Sequence, residues 1–206
     1  RMTILGDREQ TMDGEQQDVL TFLPKIFGKD IRRIVMNKSY RNTVEIASYA
    51  NKLAGITEVE LFERHGKPVV EKEFPGLEEA VRELRLEKQA VIAENADEGV
   101  EDIISYETAA VIARTADEAR ETYYILKEKL EAEGFDTKER LSLLHRDSTN
   151  FQKGLTVTTF YMAKGLEFDQ VFSVFPGEDR SPIVERARYI AATRALHELY
   201  MYEVVK

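Results

Sequence analysis

Residues 156–169 read Thr156-Val157-Thr158-Thr159-Phe160-Tyr161-Met162-Ala163-Lys164-Gly165-Leu166-Glu167-Phe168-Asp169, and the apolar run 171–175 follows at once. A β-branched strand that empties into a Lys164-Gly165-Leu166-Glu167 turn offers a cation, an unhindered backbone N–H and a carboxylate within four residues. The expected place for such a turn is the carboxyl edge of a sheet, where α/β folds bind ligands.

Outward from this stretch, short apolar runs rich in β-branched residues alternate with helical stretches, the pattern of a parallel sheet covered by helices. Strands are predicted at 2–5, 31–36, 109–113, 155–160, 171–175 and 199–204, with a weaker one at 67–74. Helices are predicted at 43–53, 77–94, 116–133 and 182–195. The third has the clearest signature, because Ala119, Tyr123, Leu126 and Leu130 fall on one stripe. Its ends agree, with Asp117 and Glu118 in the first turn and Gly134 just past the last. In the second, Lys88 interrupts an apolar face made by Leu77, Val81, Leu84 and Val91. The chain 1–206 is expected to form a single domain, with 75–105 and 136–154 as peripheral helix and loop segments.

Composition narrows the function classes. With 29 Lys and Arg against 38 Asp and Glu, the formal charge is −9, which argues against a broad basic face for nucleic acid. Contacts to a polyanion should therefore be local. The absence of Cys excludes a disulfide framework, a thiolate nucleophile and thiolate zinc sites, and fits a reducing cytoplasm. His65, His145 and His197 lie too far apart in sequence for a local metal cluster, so no metal site is expected. No apolar stretch approaches the roughly 20 residues of a membrane span, and no membrane association is expected. The chain opens inside an apolar strand-like run, Met2-Thr3-Ile4-Leu5, and reads as a piece cut from a longer protein.

Four segments carry a family resemblance. The stretch Thr159 to Asp169 resembles the fifth motif of superfamily-one DNA helicases of the UvrD/Rep kind, Thr-x-His-x-x-Lys-Gly-Leu-Glu-Phe, with Tyr161 standing where the family has His. Tyr189-Ile190-Ala191-Ala192-Thr193-Arg194-Ala195 is similar to the sixth, Tyr-Val-Ala-x-Thr-Arg-Ala. Asn37-Lys38-Ser39-Tyr40-Arg41-Asn42 resembles the fourth, Asn-Tyr-Arg-Ser, with an extra pair inserted. Gly6-Asp7-Arg8-Glu9-Gln10 is similar to the third, Gly-Asp-x-x-Gln, although Thr11-Met12-Asp13-Gly14 replaces the aromatic residues that follow it in the family. Ala110-Val111-Ile112-Ala113-Arg114-Thr115 is close to a further family strand, Val-Leu-x-Arg-Thr. The four motifs occur in order, each at a predicted strand end.

The resemblance implies a RecA-like three-layer α/β domain, a P-loop NTPase-like fold that lacks the P-loop itself. It implies that Arg194 is an arginine finger, that Tyr40 stacks on adenine, that Arg41 meets the terminal phosphate and that Gln10 senses the γ-phosphate. Gly165 and Glu167 would face the nucleotide, Glu167 at its ribose, and Thr159 and Tyr161 would lie on single-stranded DNA. ATP and Mg²⁺ would then be held mainly by a preceding RecA-like domain. This chain has no Gly-x-x-x-x-Gly-Lys-Ser/Thr loop, and Asp97-Glu98 and Asp117-Glu118 do not directly follow a buried strand. By itself it is expected to be inert. Some 115 positions separate Arg41 from Thr156, too few for the large accessory domain of typical relatives. That compactness resembles the HelD branch, which implies RNA polymerase as an alternative target. A non-enzymatic adapter that has kept a helicase-like shape is the third reading.

Overall fold

The computed structural model describes residues 22–28, 32, 34, 40–57, 59–84, 107–146, 148 and 153–205, together with the backbone of 19–21, 38–39, 91–94 and 101–104. In chain order the first elements are α1 (Val19–Phe27), β1 (Lys38–Ser39), α2 (Val44–Ala54), β2 (Glu60–Leu61), β3 (Val70–Phe74), α3 (Leu77–Glu83), β4 (Val91–Glu94) and β5 (Glu101–Ile104). They are followed by β6 (Thr108–Ala113), α4 (Ala116–Ala132), α5 (Thr137–Arg140), β7 (Leu141–Leu143), β8 (Gly154–Thr159), α6 (Phe160–Ala163), β9 (Phe168–Pro176), α7 (Pro182–Ala192) and β10 (Ala195–Val204). Strands β3, β10, β9, β6, β8 and β7 form, in that order, a six-stranded sheet in which every pairing is parallel. Two short pairs lie apart from it, β1 beside β2 in parallel and β4 beside β5 in antiparallel.

Successive residues of a strand point to opposite faces, and both faces of this sheet are covered. Ala110 and Ile112 of β6, Val171 and Phe175 of β9, and Leu199 and Met201 of β10 pack with Ile46 and Ala50 of α2 and with Ala187, Ile190 and Ala191 of α7. On the other face, Val111, Phe172, Val174 and Tyr202 pack with Ala80 and Val81 of α3 and with Ala119, Leu126 and Leu130 of α4. This is a three-layer α/β fold with an all-parallel sheet, consistent with a RecA-like domain.

Helix α4 follows its sequence signals closely. Thr115 and Glu118 form a reciprocal capping box, and Gly134 takes a left-handed φ of 76° just beyond the end. Three expectations need correction. The helix predicted at 77–94 ends at Glu83, where Leu84 leaves helical backbone (φ −56°, ψ 113°), and Val91–Glu94 is a strand paired to Glu101–Ile104. The buried stripe of Leu77, Val81 and Leu84 fits one short helix, and its continuation to Val91 is an accident of spacing. The helix predicted at 182–195 stops at Ala192, with Thr193 as C-cap, and Ala195 already pairs with Phe168 as the start of β10. Alanine suits both elements, so the boundary carried no signal. The segment 136–154, expected as peripheral helix and loop, contains the short helix α5 but also the edge strand β7, which pairs with β8 through Leu141, Ser142 and Leu143. The predicted strand at 2–5, the third-motif segment with Gln10, and Lys88 lie outside the described residues, as does the strand predicted at 31–36 except for Arg32 and Ile34, neither of which is in a strand.

Candidate functional site

The hydroxyl of Thr159 accepts the Met162 N–H at 3.4 Å and so starts α6 directly at the end of β8. This short helix carries the chain back along the sheet. Leu166 N–H closes onto the Ala163 carbonyl at 3.0 Å, Gly165 turns at φ +86°, and Phe168 N–H bonds to the Arg194 carbonyl at 3.0 Å as β9 begins. In register, Thr159 and Val174 both stand beside Ala113, whereas Leu155 and Gln170 both stand beside Ala109. The Lys164-Gly165-Leu166-Glu167 turn therefore lies at the amino edge of the sheet, and the expected carboxyl-edge position is wrong. At about 3.3 Å per residue, the length of β8 puts Thr159 on the order of 20 Å away along the strand direction. The left-handed φ of Gly165 is what a side chain would resist there.

Three of the sequence-selected segments meet at this amino edge. Arg41 Nε lies 2.6 Å from Glu167 Oε1, each side chain being 42% exposed. Arg194 is only 1% exposed; its Nη1 donates to the Leu166 carbonyl at 3.2 Å and its Nη2 to Thr193 Oγ1 at 3.0 Å. Buried Asn42, next to Arg41, donates from Nδ2 to the Ala195 carbonyl at 2.6 Å and to the Thr193 carbonyl at 3.5 Å. Thus Arg41, Glu167 and Arg194 are brought together, and Arg194 is folded onto the turn that precedes β9 instead of projecting from the surface. Gly165 belongs to the same turn.

Tyr40 is 64% exposed, and its ring meets that of Phe62 with centroids 5.6 Å apart. Arg64 donates from Nη2 to the Arg41 carbonyl and, at 2.9 Å, to the Leu196 carbonyl. One turn further on, Glu45 accepts from Gly66 N–H at 2.8 Å and pairs with His65 at 2.9 Å. Partial burial pushes the Glu45 carboxyl upward, but the hydrogen bonds from His65, its own backbone and Gly66 hold it below the usual carboxylate range. His197 is displaced downward, by burial first and by the nearby Arg64 guanidinium second, against the pull of Asp169 and Glu198. Sequence reasoning had missed Asn42, Phe62 and Arg64. The place of Asn42 beside Tyr40-Arg41 was a usable signal; Phe62 and Arg64 had none, because nothing local ties 62–64 to 40–41.

The other expected contacts lie elsewhere. Thr159 caps α6, and Tyr161, 44% exposed, packs its ring on Phe160 at 4.2 Å, both near the carboxyl end of β8. Arg114 follows β6 at that same carboxyl edge and pairs with Glu118 at 2.9 Å and Asp179 at 3.4 Å. Among the described residues no group of three His, Asp or Glu is arranged to hold a metal ion, and no described helix is long and apolar enough to cross a membrane. The amino edge thus gathers guanidinium groups held by main-chain carbonyls and by the Glu167 carboxylate. Guanidinium groups suit phosphate oxygens, and a carboxylate such as Glu167 suits a hydroxyl donor.

No protein family and no curated protein matches this chain. Among solved structures it is similar in fold to the C-terminal domain of a possible DNA helicase from Lactobacillus plantarum WCFS1, with a TM-score of 0.52, 24% identity, and coverage of 81% of this chain and 88% of that one. The likeness spans nearly the whole of that domain and fixes the fold.

Proposed function

We propose that this chain is the C-terminal motor domain of an ATP-dependent DNA helicase. It supplies phosphate and ribose contacts to ATP that a preceding RecA-like domain holds together with Mg²⁺. The observation that carries this reading is the meeting of Arg41, Glu167 and Arg194 at one sheet edge, from segments as far apart as the fourth and sixth motifs. An adapter without nucleotide chemistry has no need of such a set. The helicase named for the structurally similar domain points the same way.

In this reading the nucleotide competes with contacts the domain makes to itself. A terminal phosphate draws Arg41 from Glu167, which leaves the carboxylate to accept a ribose hydroxyl. Arg194 turns from the Leu166 carbonyl toward the transferring phosphoryl group. Helix α6 joins this turn to Thr159 and Tyr161, where single-stranded DNA would lie, so nucleotide-driven movement of residues 164–167 reaches the DNA side through one short rigid element.

The test is ATP hydrolysis by the full-length protein with single-stranded DNA present. An arginine that stabilises a transferring phosphoryl group is worth roughly 10³ to 10⁵ in rate, so Arg194→Lys should nearly abolish turnover in a protein that still melts normally. Wild-type turnover in that variant removes the finger assignment. Hydrolysis by residues 1–206 alone overturns the shared-site reading.

A further inference from the structure

Residues 60–66 run beside the Tyr40-Arg41 segment at every level. Strand β2 pairs in parallel with β1, Lys38 beside Glu60 and Ser39 beside Leu61, immediately before Tyr40 on one chain and Phe62 on the other. The Phe62 ring then meets Tyr40 at 5.6 Å. Arg64 grips the Arg41 carbonyl and, through the same Nη2, the Leu196 carbonyl of β10. Val44 N–H bonds back to the Arg64 carbonyl at 2.9 Å, and Glu45 receives His65 and Gly66. At Gly66 the brace is tight, because an added Cβ would come within 2.6 Å of Thr43 Cγ2. Asn42 alone would fix the Tyr40-Arg41 segment from one side; residues 60–66 fix it from the other.

We infer that Phe62 and Arg64 are positioning residues for a bound nucleotide, Phe62 by setting the Tyr40 ring for the base and Arg64 by setting the Arg41 backbone for the terminal phosphate. The inference rests on the nucleotide reading above. An aromatic ring this exposed rotates unless its neighbours limit it, and Phe62 packs directly against it. A guanidinium that bridges the Arg41 carbonyl to the Leu196 carbonyl couples the Arg41 backbone to the strand that follows Arg194. The two residues should consequently divide their effects between the base end and the phosphate end of the same ligand.

The experiment is steady-state ATP hydrolysis by the full-length protein, with inorganic tripolyphosphate as a competitor that has no base. Phe62→Ala should raise KM for ATP about 5- to 20-fold, the scale of one lost or misplaced stacking contact, with kcat within twofold and tripolyphosphate inhibition unchanged. Phe62→Tyr should restore KM. Arg64→Ala should lower kcat about tenfold or more, as small misplacements of a reacting geometry do, with KM within threefold. Arg64→Lys, which donates to the same carbonyls, should recover part of that loss. Equal weakening of ATP and tripolyphosphate by Phe62→Ala, or wild-type kcat in Arg64→Ala, overturns the inference while leaving the nucleotide site standing. Absence of ATP hydrolysis and ATP binding in the wild-type protein overturns both.

Discussion

At the amino edge of the sheet, Asn42, Arg64 and Arg194 donate to the main-chain carbonyls of Ala195, Leu196 and Leu166, whereas at the carboxyl edge Arg114, Arg180 and Arg188 meet the carboxylates of Glu118, Asp179, Glu185 and Glu203. Both edges carry arginines, yet the electrostatic consequences differ. A carbonyl accepts a hydrogen bond without cancelling charge, whereas Arg41 at this same edge is paired with the Glu167 carboxylate. At the carboxyl edge the pairs neutralise each other. Arg188 is buried against Glu203 and also donates to the Pro176 carbonyl at 2.8 Å, while Arg180 reaches Glu203 at 3.1 Å. Hydrogen bonds from Ser181 and the Arg114 charge hold the Asp179 carboxyl below its usual range against a smaller desolvation effect. On the proposed reading the amino edge receives the nucleotide, while the carboxyl-edge pairs hold the fold.

The sharpest break would come from the buried carboxyl-edge pair. Arg188→Met should cost about 3 kcal/mol, because it leaves Glu203 without its buried partner, though Arg180 remains. Urea unfolding measures it, and a loss below about 1 kcal/mol would assign Arg188 some other role. Nucleotide KM of the folded variant should not move. Next in size, Asn42→Ala leaves two carbonyls at the amino edge without their donor and should cost about 1–3 kcal/mol. It should also weaken ATP binding, unlike Arg188→Met, and calorimetry or fluorescence titration would reveal a variant that destabilises without loosening the ligand.

A third test concerns Glu198, buried at the amino end of β10 and bonded to Lys67 at 2.9 Å, Gln170 at 2.8 Å and Tyr200 at 2.8 Å. Burial raises its carboxyl, but these three partners more than offset that and hold it below the ordinary carboxylate range. Its contribution to stability is therefore full above the ordinary value and is lost as pH falls through the lower, folded value. Glu198→Gln should cost about 1 kcal/mol at neutral pH and flatten the acid limb of the stability profile; an unchanged limb would locate acid sensitivity elsewhere. The smallest stability effect belongs to the exposed Arg41 and Glu167 pair, about 0.5 kcal/mol on Glu167→Gln. The same substitution should impair ATP use clearly. If stability fell sharply while turnover held, the contrast between the two edges would be reversed.

Much of the interior was legible in the sequence. The runs in β6, β8 and β9 announce themselves because strands covered on both faces need continuous apolar, β-branched residues. Helix α4 announces itself because its apolar stripe, the acids Asp117 and Glu118 in its first turn, and Gly134 past its end are local signals. Leu77, Val81 and Leu84 misled because a three-contact stripe is the same whether a helix ends after it or continues. The site was legible in part. Arg41, Glu167 and Arg194 were selected by motif, and they converge; Phe62 and Arg64 were invisible because their contacts with Tyr40 and Arg41 arise only beside the β1 and β2 pairing.

By itself the sequence determined an α/β protein with buried parallel strands, a net negative surface and a few cationic segments at strand ends, since composition and local periodicity encode these directly. Tertiary structure alone decided which edge carries the Lys164 to Glu167 turn. A helix of only four residues, α6, returns the chain to the amino end of β9, and neither strand signals its neighbour or its register in its own residues. For the same reason only the fold could show that Arg194 lies on Leu166 and Arg41 on Glu167: contacts between segments far apart in the chain are fixed by how strands pair, and pairing is a property of the sheet.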